Sequence, residues 1–226
     1  MSSLIRLYNN LRIYEIKKME LAAVTILALY TLWMTIKTIF MKEKDKNHYI
    51  SICIFIGITS IVSIYPISYH LFQYKLEKAG SKLLDGKKVR VKCQTFTEDF
   101  VGHKAAGWVY HGDNKVFMTF DVCSKLKRAL KNPKTANIND LFGLHVFTHE
   151  LMHVSGEYDE IITDCMAYQR NHRTAQLLDM SWGESVRAAI YLHKMRNPNH
   201  VGYYSSECKP GGALDEYLED AVWILN

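Results

Sequence analysis

The chain reads as an α+β protein in which two apolar N-terminal helices precede one small folded domain. Three observations carry that reading. Two long charge-free runs lie near the start, a stretch of period-two alternation broken by a tight turn follows, and a series of helical patterns, several with their own caps, completes the chain.

The first run, "LAAVTILALYTLWMTI", extends from Leu21 to Ile36; Lys37 interrupts it and "TIFM" continues it. The second runs from Tyr49 to Tyr74. A helix needs about 20 apolar residues to cross the hydrocarbon core of a bilayer. The second run exceeds that length, and the first reaches it if Lys37 snorkels to the interface. Arg12, Lys17 and Lys18 precede the first run as they would a signal peptide, but no small-residue cleavage site follows, only "KEKDKNH". The expectation is two transmembrane helices, with residues 1–20 an N-terminal segment, 21–74 a two-helix membrane anchor and 75–226 the folded domain.

Charge and cysteine usage bear on topology. The formal net charge of +5 comes largely from lysines and arginines flanking the two runs. That pattern favours both termini in the cytoplasm and a lipid bilayer as partner. No nucleic-acid motif accompanies it. Cys53 lies in the second run; Cys93, Cys123, Cys165 and Cys208 lie in the domain. Outside the cytoplasm these four could form two disulfides, in any of three pairings. Inside it they would be buried thiols. The localisation expected is a two-span membrane protein, with the lysines favouring a cytoplasmic domain.

Residues 75–88 read as a basic linker with "DGKK" as a turn signal. "KVRVKCQTF" alternates like a strand, and "GWVYHGDNKVFMTFDV" reads as a hairpin around "HGDN". The expected sheet is short and antiparallel. "CSKLKRAL" is a short helix stopped by "KNPKT". "NINDLFGLHVFTHELMHVSG" is a longer one, capped by Asn137 or Asn139 and stopped by Gly156. "DEIITDCMAYQRNHRTAQLL" follows with Asp159 as cap, then "SWGESVRAAIYLHKMR" with Ser181 as cap. "ALDEYLEDAVWIL" reads as a last helix. Trp108, Tyr110 and Phe117 read as core aromatics of the hairpin.

"HELMH" carries the chemistry. His149 and His153, at i and i+4, share one helix face and are close enough to hold one metal ion. Glu150 is rotated about 100° around the axis, where it can reach a water at the metal without ligating. Zinc in such a site activates water, and the glutamate serves as general base and then acid. His145 repeats the spacing, but Val146 stands where the base should be, so His145 reads as a core or supporting histidine. His193, His200, Tyr203 and Tyr204 are candidate donors to a developing oxyanion.

"HELMH" followed by an acidic helix resembles the zincin metallopeptidases over roughly Asn137 to Gln169. The resemblance implies a Zn2+-dependent hydrolase, a metalloprotease, acting on a protein or peptide substrate. It leaves three acids open as third ligand. "HELMHVSGEYD" is similar to a metzincin pattern and points to Asp159. "EIITD" is similar to the gluzincin ExxxD pattern, in which Glu160 ligates and Asp164 orients a histidine. Asp164 could also ligate directly. If Gly156 turns the chain back, Glu160 and Asp164 share a face toward the histidines, whereas Asp159 is better used as a cap. The late "YYSSECKPGGALD" is similar to a segment of small uncharacterised bacterial and phage HExxH membrane proteins. The alternative function is a non-catalytic membrane protein that uses a zincin-like scaffold for binding or assembly.

Overall fold

A computed structural model describes residues 26, 29–37, 46–95, 105–196, 198–199 and 201–223. The chain divides into two units, Met1–Leu71 and Phe72–Asn226. In the first, residues 29–37 are helical, and helix α1 (Lys46–Leu83) begins there and continues into the residues of the second.

The two expected membrane spans are corrected here. Among the described residues, no helix is long and apolar enough to cross a membrane. The first run is helical over its described residues, 26 and 29–36, and the remainder, residues 21–25, 27 and 28, lies outside them. The second run is part of α1, which continues through Lys75, Glu77, Lys78 and Lys82. Four serines, Thr59 and Pro66 interrupt the apolar residues of that run. Its C-terminal stretch is amphipathic: Phe72, Leu76, Ala79 and Leu83 recur at helical spacing and are buried. The localisation as a two-span membrane protein falls with the spans.

The same stripe corrects the linker expected at residues 75–88. Instead of a linker, α1 supplies side chains that cap a strand. Glu77 Oε1 accepts from the amide of Val91 at 3.0 Å, and Gln73 Oε1 from the amide of Cys93 at 3.1 Å. Strand β1 (Arg90–Cys93) is thereby satisfied along the edge that no strand pairs among the described residues.

The sheet has the order β1-β3-β2, with β2 Gly107–Val109 and β3 Lys115–Met118. β2 and β3 form the hairpin read from "HGDN" and pair antiparallel, Trp108 opposite Phe117 with their rings stacked. β1 pairs with β3 in parallel, so the sheet is mixed, not antiparallel as expected. The long connection between β1 and β2 makes the parallel pairing possible.

Four helices follow: α2 (Phe120–Lys131), α3 (Ile138–Ser155), α4 (Glu160–Leu177) and α5 (Trp182–Lys194). Asn137 caps α3, its side chain accepting from the amide of Asp140. Asp159 caps α4 through Ile161 and Ile162, and Ser181 with Glu184 forms a capping box on α5. Helix α3 is buried almost all round, because α2, α4, α5 and the sheet all pack on it. Its histidines are therefore interior groups that require partners.

The four domain cysteines pair as Cys93–Cys123, joining β1 to α2, and Cys165–Cys208, joining α4 to the C-terminal segment. The last helix expected over "ALDEYLEDAVWIL" does not form over its described residues, which run through turns and irregular backbone. Asp215 and Glu219, like Glu216 and Asp220, would repel at i and i+4 on a helix. In the fold Arg170 pairs with Glu216 and Arg173 with Asp220, while Gln169 bonds the backbone of Leu214 and Glu216.

Candidate metal centre

Gly156 ends α3 in the left-handed region, at φ 120°, and its amide bonds back to Met152 and His153. That reversal lets α4 return antiparallel beside α3. Consequently the early part of α4 meets the late part of α3, and residues further along α4 meet residues earlier in α3.

At the first level, three ligand-type atoms converge. His149 Nε2 lies 3.1 Å from His153 Nε2 and 3.0 Å from Glu160 Oε2, and His153 Nε2 lies 3.6 Å from that oxygen. Ligands about 2.1 Å from a tetrahedral zinc ion stand about 3.4 Å apart, so this triangle matches one face of such a site. The outer ring nitrogens are also held. His153 Nδ1–H donates to the carbonyl of Glu157 at 2.8 Å, which leaves the Nε2 lone pair facing the other two ligands. His149 Nδ1 faces Asp164 Oδ1 at 3.5 Å.

One turn further along α4, Asp164 Oδ1 accepts from His145 Nε2 at 2.8 Å, and Asn171 Nδ2 donates to His145 Nδ1 at 3.1 Å. An Asn171–His145–Asp164–His149 chain thus reaches the ligand triangle from behind. His145, His149 and Asp164 form a second group with metal-ligand geometry.

Of the acids weighed as third ligand, the fold brings Glu160 to both histidines and puts Asp164 against His145 and His149. Asp159 is committed to its cap. Glu150 points elsewhere around α3, into a cleft of about 530 Å³ that it lines with His149, Tyr168, Arg196, Tyr203 and others. It is 5% exposed, and its Oε2 is buried without a hydrogen-bond partner among the described residues.

The electrostatics favour a cation. Burial alone would push His149 down, but the Asp164 and Glu160 hydrogen bonds and the Glu150 charge outweigh it and hold its pKa up to about 9. Burial pushes Glu150 up to about 8 despite the pull of His149. Burial works to raise Asp164, yet the hydrogen bonds from His145 and His149 bring it well below the usual carboxylate range. The His149 hydrogen bond likewise lowers Glu160. Three carboxylates around two facing imidazoles stabilise positive charge, which is what a bound divalent ion supplies. The donor set, the triangle and the unpartnered Glu150 oxygen all fit zinc.

Strand β2 passes directly over Glu150. A Cβ built on Gly107 would stand 2.9 Å from Glu150 Cγ, from Glu150 Oε1 and from Val146 Cγ1. Only glycine admits this approach. As the terminal strand of the sheet order, β2 also brings a strand edge beside the cleft. Tyr203 stands 5.9 Å, ring centre to ring centre, from His149, and burial raises its phenol pKa. Tyr204 lines the same cleft. His193 packs instead between Tyr168 and Trp223, and His200 lies outside the described residues.

Sequence reasoning missed the tie between His145 and Asp164, and missed Arg196 altogether. The first had a signal in helical phase, since His145 and His149 are one turn apart, as are Glu160 and Asp164. The second had none, because Arg196 reaches the cleft only through the packing of α5 on α4. Comparison with known protein families, with curated proteins and with solved structures returns no match.

Proposed function

We propose that the chain is a zinc-dependent metallopeptidase. His149, His153 and Glu160 would hold the ion, and Glu150 is the general base. The observation that carries the reading is the convergence of three ligand atoms, one of them on His149, which shares the wall of one cleft with a buried glutamate whose Oε2 has no hydrogen-bond partner among the described residues.

A bound zinc ion supplies Lewis acidity, lowering the pKa of water and polarising a carbonyl. The chain's own groups do the rest. Asp164 and the Glu157 carbonyl fix the two imidazoles in the tautomer that ligates. Glu150 takes the proton of the attacking water on Oε2 and delivers it to the departing amine nitrogen. The edge of β2 offers backbone groups to an extended peptide, as in strand addition. Tyr203 would donate to oxygen charge as it develops.

The test is metal content and cleavage of a peptide library by the wild type and by Glu150→Gln. Glu150→Gln is expected to keep its zinc and lose turnover by about 10²–10⁴-fold. Zinc-loaded wild type as inactive as the variant would overturn the assignment in favour of a scaffold role.

A further inference from the structure

Arg196 follows α5 and lines the cleft that holds His149 and Glu150. Its Nη1 donates to the carbonyl of Cys208 at 2.6 Å and its Nη2 to that of Ser205 at 2.7 Å. Its guanidinium carbon stands 5.5 Å from the ring centre of Tyr168 and 5.1 Å from that of Tyr204. The group is thus fixed in place by two carbonyls and two aromatic rings.

Among the described residues no carboxylate forms an ion pair with it. Of the arginines among them, Arg90, Arg128, Arg170 and Arg173 each pair with an acid, and Arg196 does not. Arg187 also lacks one, but it binds the carbonyls of Pro133 and Ala136 and does not line the cleft. A guanidinium carries five N–H donors in a planar fork suited to carboxylate. Two carbonyls leave donors to spare, and the flanking rings stabilise the cation without neutralising it. Tyr168 spans the gap to the metal centre: its ring lies 4.3 Å from that of His145 on one side and near Arg196 on the other. The guanidinium carbon of Arg196 therefore lies no more than about 10 Å from the ring of His145, the span of about three extended residues.

We propose that Arg196 is a specificity residue, and that the cleft takes peptides bearing a carboxylate a few residues from the scissile bond. This rests on the peptidase reading. The carboxylate could belong to an aspartate or glutamate side chain or to a free C-terminus; both present the same chemistry to the fork.

The test uses the zinc-loaded full chain and fluorescent peptides in matched pairs, glutamate against glutamine and free C-terminus against C-terminal amide. Cleavage is measured as kcat/KM, and binding is measured separately by anisotropy on zinc-loaded Glu150→Gln. Wild type is expected to favour the carboxylate member of one pair by about tenfold or more, and the pair that shows it identifies the source. The ratio should collapse toward one in Arg196→Gln and survive in part in Arg196→Lys. Equal binding of both members of both pairs by Glu150→Gln, which retains Arg196, overturns the proposal, as does a preference that persists when Arg196→Gln is added. Should Arg196→Gln fail to fold, the wild-type ratios and Arg196→Lys decide the matter. A binding preference without turnover supports Arg196 while overturning the peptidase reading, and turnover without preference does the reverse.

Discussion

His145 Nε2 donates to Asp164 Oδ1 at 2.8 Å, and the same oxygen faces the ring of His149. In the proposed zinc site His145 would therefore act through another residue. Removing such a support typically lowers metal affinity by about 10- to 100-fold. His145→Ala should do so while His149, His153 and Glu160 remain intact, as measured by competing the protein against a chelator of known affinity. Wild-type zinc affinity in His145→Ala would mean that Asp164 orients itself without help.

Glu160 and Asp159 are adjacent in sequence yet differ in task. Glu160→Ala should abolish zinc retention on dialysis. Asp159→Ala should keep the metal and lose about 1 kcal/mol of stability, the usual cost of an N-cap, read from urea denaturation. Loss of metal in Asp159→Ala with retention in Glu160→Ala would exchange their roles.

Gly107 tests how closely strand and base must approach. The methyl of Gly107→Ala would overlap Glu150 Cγ and Oε1 at 2.9 Å, so either the strand or the carboxylate must move. Displacement of a catalytic group by about 1 Å costs about 10² in rate. Turnover should fall by that order with zinc content unchanged. A fully active Gly107→Ala would show that β2 yields freely.

His193 links stability to pH. Burial, aided by the positive charge of Arg196, holds its pKa down to about 4, and its Nδ1 is buried without a hydrogen-bond partner among the described residues. The unfolded imidazole titrates near 6.5. Between those values the unfolded chain binds the extra proton, so this group subtracts stability as pH falls from about 6.5 toward 4. In His193→Gln the drop in urea midpoint across that window should be smaller than in wild type, while groups common to both, such as Asp164, cancel. Equal drops would remove His193 as a source.

Local chemistry made much of this fold legible. Asn137, Asp159 and Ser181 could be read as caps because their short polar side chains satisfy free amides wherever a helix begins. "HGDN" announced its hairpin, and His149 and His153 announced a shared face because helical phase is a local property. The misreadings came where distant partners outvoted local pattern. The basic stretch after Tyr74 looked like linker, but Phe72, Leu76, Ala79 and Leu83 had a core to join. The acidic C-terminal segment looked helical, but Arg170 and Arg173 hold it in turns. The apolar runs looked like spans because run length alone does not reveal which part of a helix a domain will bury.

By itself the sequence determined which residues could ligate a metal, which carboxylate could serve as base, and where the helices that carry them begin and end. Only the tertiary structure set the three acids apart. The return of α4 at Gly156 sets Glu160 against both histidines, gives Asp164 to His145 and His149, and leaves Asp159 to its cap. It also decided that Arg196, far along the chain, shares their cleft. The physical reason is that periodicity and capping act within a few residues, whereas convergence of ligands depends on how buried faces stack, and that is fixed by contacts between residues far apart in the chain.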